Sequence, residues 1–157
     1  MTEREEKAKE WLNRNFGKAM EIEALKRRLE RMESDLERSV KPLRMREVQE
    51  EPTGNSQEEK LAEYIDLQRM VEVKILELGI EDQKTIKAIL NVESAIYRTI
   101  LIERYVNRLS WKQIAAVMHF SPGGGHFYHL HLESLSAVLP FIPEEVKRND
   151  RERLGET

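Results

Sequence analysis

Apolar residues recur along the chain with the spacing of helices. Trp11, Asn15, Lys18, Ile22, Leu25, Leu29, Met32 and Leu36 are spaced 4-3-4-3-4-3-4, the seam of a coiled coil with two polar members. They predict one helix over residues 3–39 with Glu, Lys and Arg on its outer face. A stripe this narrow does not keep a lone helix folded in water, so the seam must meet another helix. Pro42 is expected to end it, and Pro42, Pro52, Gly54, Asn55 and Ser56 mark 41–56 as a linker. Ser56-Gln57-Glu58-Glu59 reads as a capping box. The helix it opens carries Leu61, Tyr64, Ile65, Val71, Ile75 and Leu78 on an apolar face, which Ile86, Ile89 and Leu90 continue inward. Gly79, costing roughly 1 kcal/mol inside a helix, marks a kink or break. Two such helices predict an antiparallel hairpin or the same pairing between chains.

The pattern then shortens. Ile96, Ile100, Leu101 and Tyr105 fall on one helix, roughly 93–108, with Asn91 as its cap. Ser110 caps a helix from Trp111 to His119 that turns Ile114, Ala115 and Met118 inward. After Phe120-Ser121, Pro122 fits the first position of a last helix with Ser121 as cap. That helix runs through Phe127, Leu130, Leu135 and Val138 to about Leu139, where Pro140 stops it. Residues 141–157 read as a charged tail. The segmentation is therefore 1–40 N-terminal helix, 41–56 linker, 57–91 second helix of the arm, 92–140 terminal helical domain and 141–157 tail. The fold class is all-α.

Composition narrows the chemistry. The 157 residues include 35% charged and 6% aromatic side chains and no cysteine. Disulfides, thiolate metal sites and cysteine nucleophiles are therefore excluded. No apolar run approaches the ~20 residues of a membrane span, and the N-terminus Met1-Thr2-Glu3-Arg4-Glu5-Glu6 lacks the apolar core of a signal peptide. A soluble, cytoplasmic protein without membrane partners is expected. The net charge is −3, with 10 acidic against 5 basic side chains in 51–93 and 4 basic against 2 acidic in 94–139. No segment is basic enough to announce nucleic-acid binding by charge alone. From Gln113 to Val146 there is no Lys or Arg, and all four histidines lie between His119 and His131.

A short helix, a tight turn and a longer helix behind a supporting helix is the helix-turn-helix plan. Ala115 or Ala116 supplies the small residue where the second helix crosses, and Phe120 the apolar plug in the turn. His126, His129, His131 and Glu133 do not form a metal site on one helix, because 126 and 129 share a face that 131 does not. Trp111 reads as a half-buried anchor. Lys26-Arg27-Arg28 with Arg31 reads as a solvated coiled-coil face. No nucleophile-base set or carboxylate pair has catalytic spacing, so neither catalysis nor a cofactor is expected.

The run from Ile100 to Ala115, Ile-Leu-Ile-Glu-Arg-Tyr-Val-Asn-Arg-Leu-Ser-Trp-Lys-Gln-Ile-Ala, resembles the L-x-x-R-Y-x-x-G-x-S-W-x-x-I-A signature of sigma-factor-like phage proteins. Tyr128-His129-Leu130-His131 resembles the Y-R-L-H that follows it. The family is the RinA/ArpU-like late-transcription regulators of phages and prophages of Gram-positive bacteria, with the strong match over roughly 98–135. The resemblance implies a sigma-like helix-turn-helix that binds double-stranded DNA and controls late genes in the host cytoplasm, without catalysis, with RNA polymerase as a further partner. It places Lys112 and Gln113 beside the DNA backbone, Ser121 at the cap of the recognition helix and His129 where the signature has Arg. Arg104 matches the family arginine, a structural partner.

The candidate DNA-binding set is Arg108, Lys112, Gln113, Ser121, Gly124, Gly125, His126 and His129. The sequence departs from the pattern between Ser121 and Phe127, where Pro122-Gly123-Gly124-Gly125-His126 gives five residues in place of three. The last helix also offers no Arg, Lys, Asn or Gln for bidentate base readout. Either backbone N–H groups at a glycine-rich helix start grip a phosphate, with His126 and His129 adding charge at low pH, or this helix serves a protein contact. Two further readings stand beside the regulator. One is an interaction protein that binds polymerase or another factor without binding DNA itself. The other is a small-terminase-like DNA-packaging subunit, distinguished by a ring where the regulator is a monomer or a homodimer through the N-terminal helices.

Overall fold

The structure, a computed structural model, describes residues 1–45, 54–121 and 124–143. All regular structure among them is helical: α1 (Glu3–Leu12), α2 (Phe16–Met45), α3 (Gly54–Ile89), α4 (Ala95–Leu101), a π-helical turn Ile102–Val106, α5 (Trp111–Met118), α6 (Gly125–Val138) and a 3-10 turn Leu139–Phe141. The expected all-α class is what the chain forms. No helix among the described residues is long and apolar enough to cross a membrane. The expected linker residues 46–53 and tail residues 144–157 lie outside the described residues.

The chain divides into two compact units, residues 17–79 and residues 1–16 with 80 onward. The predicted helix over 3–39 is two helices, and the break explains the division. Thr2 and Glu5 close a capping box on α1, which ends in a turn at Asn13-Arg14-Asn15. Arg14 pins that turn to α3. Its Nη1 donates to the Trp11 carbonyl (3.0 Å) and Thr85 Oγ1 (2.9 Å), its Nη2 to the Glu81 carbonyl (3.0 Å), and its guanidinium lies 4.0 Å from the Trp11 ring centroid. Trp11 fits the seam by spacing yet is buried in another core. There Ala8, Trp11 and Leu12 of α1 meet Ala88, Ile89 and Val92, Leu101 of α4, Tyr105, Leu135 and Val138 of α6, and Ile142. Both α1 and α4 pack on α6.

Residues 17–79 form an antiparallel hairpin of α2 and α3, the first of the two pairings that the sequence left open. Lys74 Nζ reaches Glu21 Oε1 at 2.8 Å, and Gln57 Nε2 donates to the Ser39 carbonyl at 3.3 Å. The α2 seam from Ile22 through Leu25, Leu29, Met32 and Leu36 is the less exposed face, as its periodicity predicts, whereas Lys18 is exposed and Ala19 is buried in its place. On α3 the less exposed positions are Tyr64, Leu67, Val71, Lys74 and Leu78, a 3-4-3-4 heptad. Leu61, Ile65 and Ile75, expected on that face, are exposed, as is Leu90 further along.

Five expected helix boundaries or breaks shift. Pro42 does not stop α2, which runs to Met45. α3 is already helical at Gly54, ahead of Ser56, and continues through Gly79 without interruption. Asn91 does not cap α4: its side chain donates to the Lys87 carbonyl at 2.9 Å, while Ser94 Oγ accepts from the Tyr97 N–H. Finally, the helix expected over 93–108 passes at Ile102 into a π turn, whose wider i→i−5 bond runs from the Asn107 N–H to the Ile102 carbonyl (2.9 Å).

Candidate nucleic-acid interface

α5 is held at both ends. Ser110 and Gln113 form a reciprocal capping box, the Gln113 N–H donating to Ser110 Oγ (3.2 Å) and the Ser110 N–H to Gln113 Oε1 (2.8 Å). At the other end the Phe120 N–H donates to the Ala115 carbonyl (2.9 Å) and the His119 N–H to the Ala116 carbonyl (3.3 Å), with His119 at φ 59°. This is a Schellman closure with histidine in the left-handed position usually given to glycine. It turns the chain sharply and sets Phe120 against Phe127 of α6, ring centroids 5.9 Å apart. Ala115, fully buried, is the small residue of α5 that the plan requires.

Trp111 fixes α6 against α5. Its ring centroid is 5.6 Å from that of Phe127 and 4.4 Å from that of His131. Arg104 lies 4.6 Å from the Trp111 centroid and donates to the Leu109 carbonyl (3.1 Å), the structural role its position implied. His131 is buried, with Nε2 2.7 Å from the Tyr105 hydroxyl, one proton lying between them. Burial, with Lys9 and Arg104 nearby, pushes the imidazole down to about 4, so it is neutral at physiological pH. Burial pushes the Tyr105 hydroxyl well above its ordinary range. This aromatic cluster is packing, and no set of three His, Asp or Glu side chains among the described residues could hold a metal.

The structure places the sequence-derived site residues in four settings. Lys112 and Gln113 are exposed on the first turn of α5, although the Gln113 side chain is engaged at the cap. Arg108 is tied down instead: its guanidinium grips Asp82 at 2.8 and 3.2 Å and donates to the Val106 carbonyl at 2.7 Å, from a backbone at φ 59°. Its fork therefore joins α3 to the loop before α5. Ser121 does not cap α6. The helix begins at Gly125 with Gly124 as N-cap and no side-chain acceptor, and the Ser121 carbonyl receives the Gly124 N–H (3.2 Å). Glycine's poor helix propensity accounts for the later start; the expected first position, Pro122, and Gly123 lie outside the described residues.

Gly124, Gly125, His126 and His129 are exposed, and a Cβ on Gly125 would meet nothing. The outward face of α6 is Gly125, His129, Glu133 and Ser136, with Glu133 accepting from the Tyr97 hydroxyl. Tyr128, 51% exposed with its ring centroid 6.0 Å from that of His129, is a further surface residue absent from the candidate set. Its only sequence signal was its place in the Tyr128-His129-Leu130-His131 run. No family model matches the chain, and no curated protein and no solved structure matches it.

Proposed function

We propose that α5, its turn and α6 bind double-stranded DNA as a helix-turn-helix, and that the protein regulates transcription in the manner of the phage late-gene regulators its sequence resembles. The observation that supports this most is the corner itself: a capped α5, a Schellman turn through His119, and Phe120 packed on Phe127. Lys112 supplies a backbone phosphate contact, and the uncapped first turn of α6, open around Gly125, supplies N–H donors for another. Arg108 belongs to the scaffold under this reading. Cytoplasmic action and contact with RNA polymerase form part of the same proposal.

The test is fluorescence anisotropy on a promoter-sized duplex from the neighbouring genome and on a scrambled duplex, titrated with salt at pH 6 and pH 8. Binding with preference over scramble, and a salt slope reduced by about one in Lys112→Ala, is the expected result. Absence of binding at low salt at both pH values overturns it. A second reading is favoured by α6 having no Lys, Arg, Asn or Gln while Tyr128, Val117 and Phe141 are exposed. In that reading the same module contacts polymerase or another factor, which a pull-down with purified polymerase distinguishes.

A further inference from the structure

α2 covers one face of α3 in the arm, and the opposite face of α3 is apolar as well. Leu61, Ile65 and Leu76 are 48%, 37% and 69% exposed. With Arg69 and Glu72 they are spaced 4-4-3-4, which holds all five in a stripe about 80° wide and roughly 23 Å long. Isolated exposed aliphatics are ordinary on a protein surface, but aliphatics aligned on one helix face around a central pair of opposite charges mark an interaction face. Arg69 and Glu72, both exposed, have no ion-pair partner among the described residues.

The order of this stripe identifies the occupant. Turned end for end about a two-fold axis between Met70 and Val71, it meets itself with Ile65 against Leu76 and Arg69 against Glu72. Each pair is made twice, as a two-fold interface requires. A parallel, in-register pairing would instead set arginine on arginine and glutamate on glutamate. We propose that this face of α3 is the interface of an antiparallel homodimer, in which Arg69 of one protomer pairs with Glu72 of the partner subunit. One helix seam of this length is at the small end of stable interfaces, so the dimer depends on concentration.

Sedimentation equilibrium on the full chain, from low to hundreds of micromolar, tests it. The wild type should pass from monomer to dimer, and Leu76→Asp should stay monomeric. Arg69→Glu should weaken association roughly tenfold by opposing two like-charged pairs, and Arg69→Glu combined with Glu72→Arg should restore it. These positions are on the surface, so far-ultraviolet circular dichroism should show each variant as helical as the wild type. Because the native chain has no cysteine, a mixture of Ile65→Cys and Leu76→Cys chains should oxidise to a disulfide-linked heterodimer in preference to either homodimer. A monomer throughout, a ring, a dimer indifferent to Leu76→Asp, or a double charge swap that fails to rescue each overturns the proposal.

Discussion

In the unit built from residues 1–16 and 80 onward, Leu12, Ile89, Ile100, Leu101, Ile114, Leu135 and Val138 are at most 2% exposed. In residues 17–79, Ala19, Ile22 and Val71 are the only apolar side chains among those described that are classed as buried. Both regions are helical and both follow heptad-like spacing, yet two helices share one contact line while several helices enclose a volume. Leu25, Leu29, Met32 and Leu36 accordingly stay half-buried. The hydrophobic stabilisation of a seam position is limited by the water it still touches. Leu101→Ala in the core should therefore cost about 3–5 kcal/mol, and Leu29→Ala in the arm roughly 1 kcal/mol. Urea denaturation followed by hydrogen exchange on each unit measures both. Equal costs would mean that the arm is as well sealed as the core.

Acid separates the two regions next, because the arm of residues 17–79 contains no histidine while the core holds His131. Burial above all, with Lys9 and Arg104 adding to it and Glu5 opposing it, lowers the His131 imidazole from 6.5 to about 4. An unfolded chain takes up a proton near 6.5 that the folded chain refuses until about 4. Stability is therefore fully present above about 6.5 and falls as pH drops through that window, by about 3 kcal/mol at most. His131→Gln, which keeps an acceptor for the Tyr105 hydroxyl, should flatten that part of the pH dependence, and an imidazole resonance followed by NMR should titrate near 4. A wild-type core as stable at pH 4.5 as at pH 7 would show that His131 is not held neutral.

What the sequence conveyed depended on whether the information was periodic or local. The seam from Ile22 to Leu36 repeats, and the Ser110 cap is a local signal, so both are legible; that Gln113 reaches back to close a box with it is not part of that reading. Trp11 satisfied the same repeat by spacing, and nothing in the period could say that Asn13-Arg14-Asn15 would break the helix and give Trp11 to another core. On α3, apolar positions were read as one face because composition does not tell which of two stripes a partner covers. Arg108 pairs with Asp82, 26 residues away, a separation at which charge pattern carries no register. The start of α6 was misplaced at Pro122 because proline and serine gave a strong local signal, whereas the cost of successive glycines builds up over the whole first turn.

The smallest effect is expected where the two units divide, at Gly79. It lies within the helical span of α3, and a Cβ there would meet nothing within 4 Å. Gly79→Ala removes backbone entropy from the unfolded chain without a steric penalty, so it should stabilise the helix by about 0.5–1 kcal/mol. The distribution of that gain is informative. If the arm unfolds on its own, amide protection should rise in 60–78 and stay unchanged at Leu101 and Leu135. If both units unfold in one transition, protection should rise equally at all of these sites, and the contrast between a sealed core and a thin seam would be one of packing alone, with no separate stability for the arm. A loss of stability would mean that Gly79 requires a conformation an alanine cannot adopt.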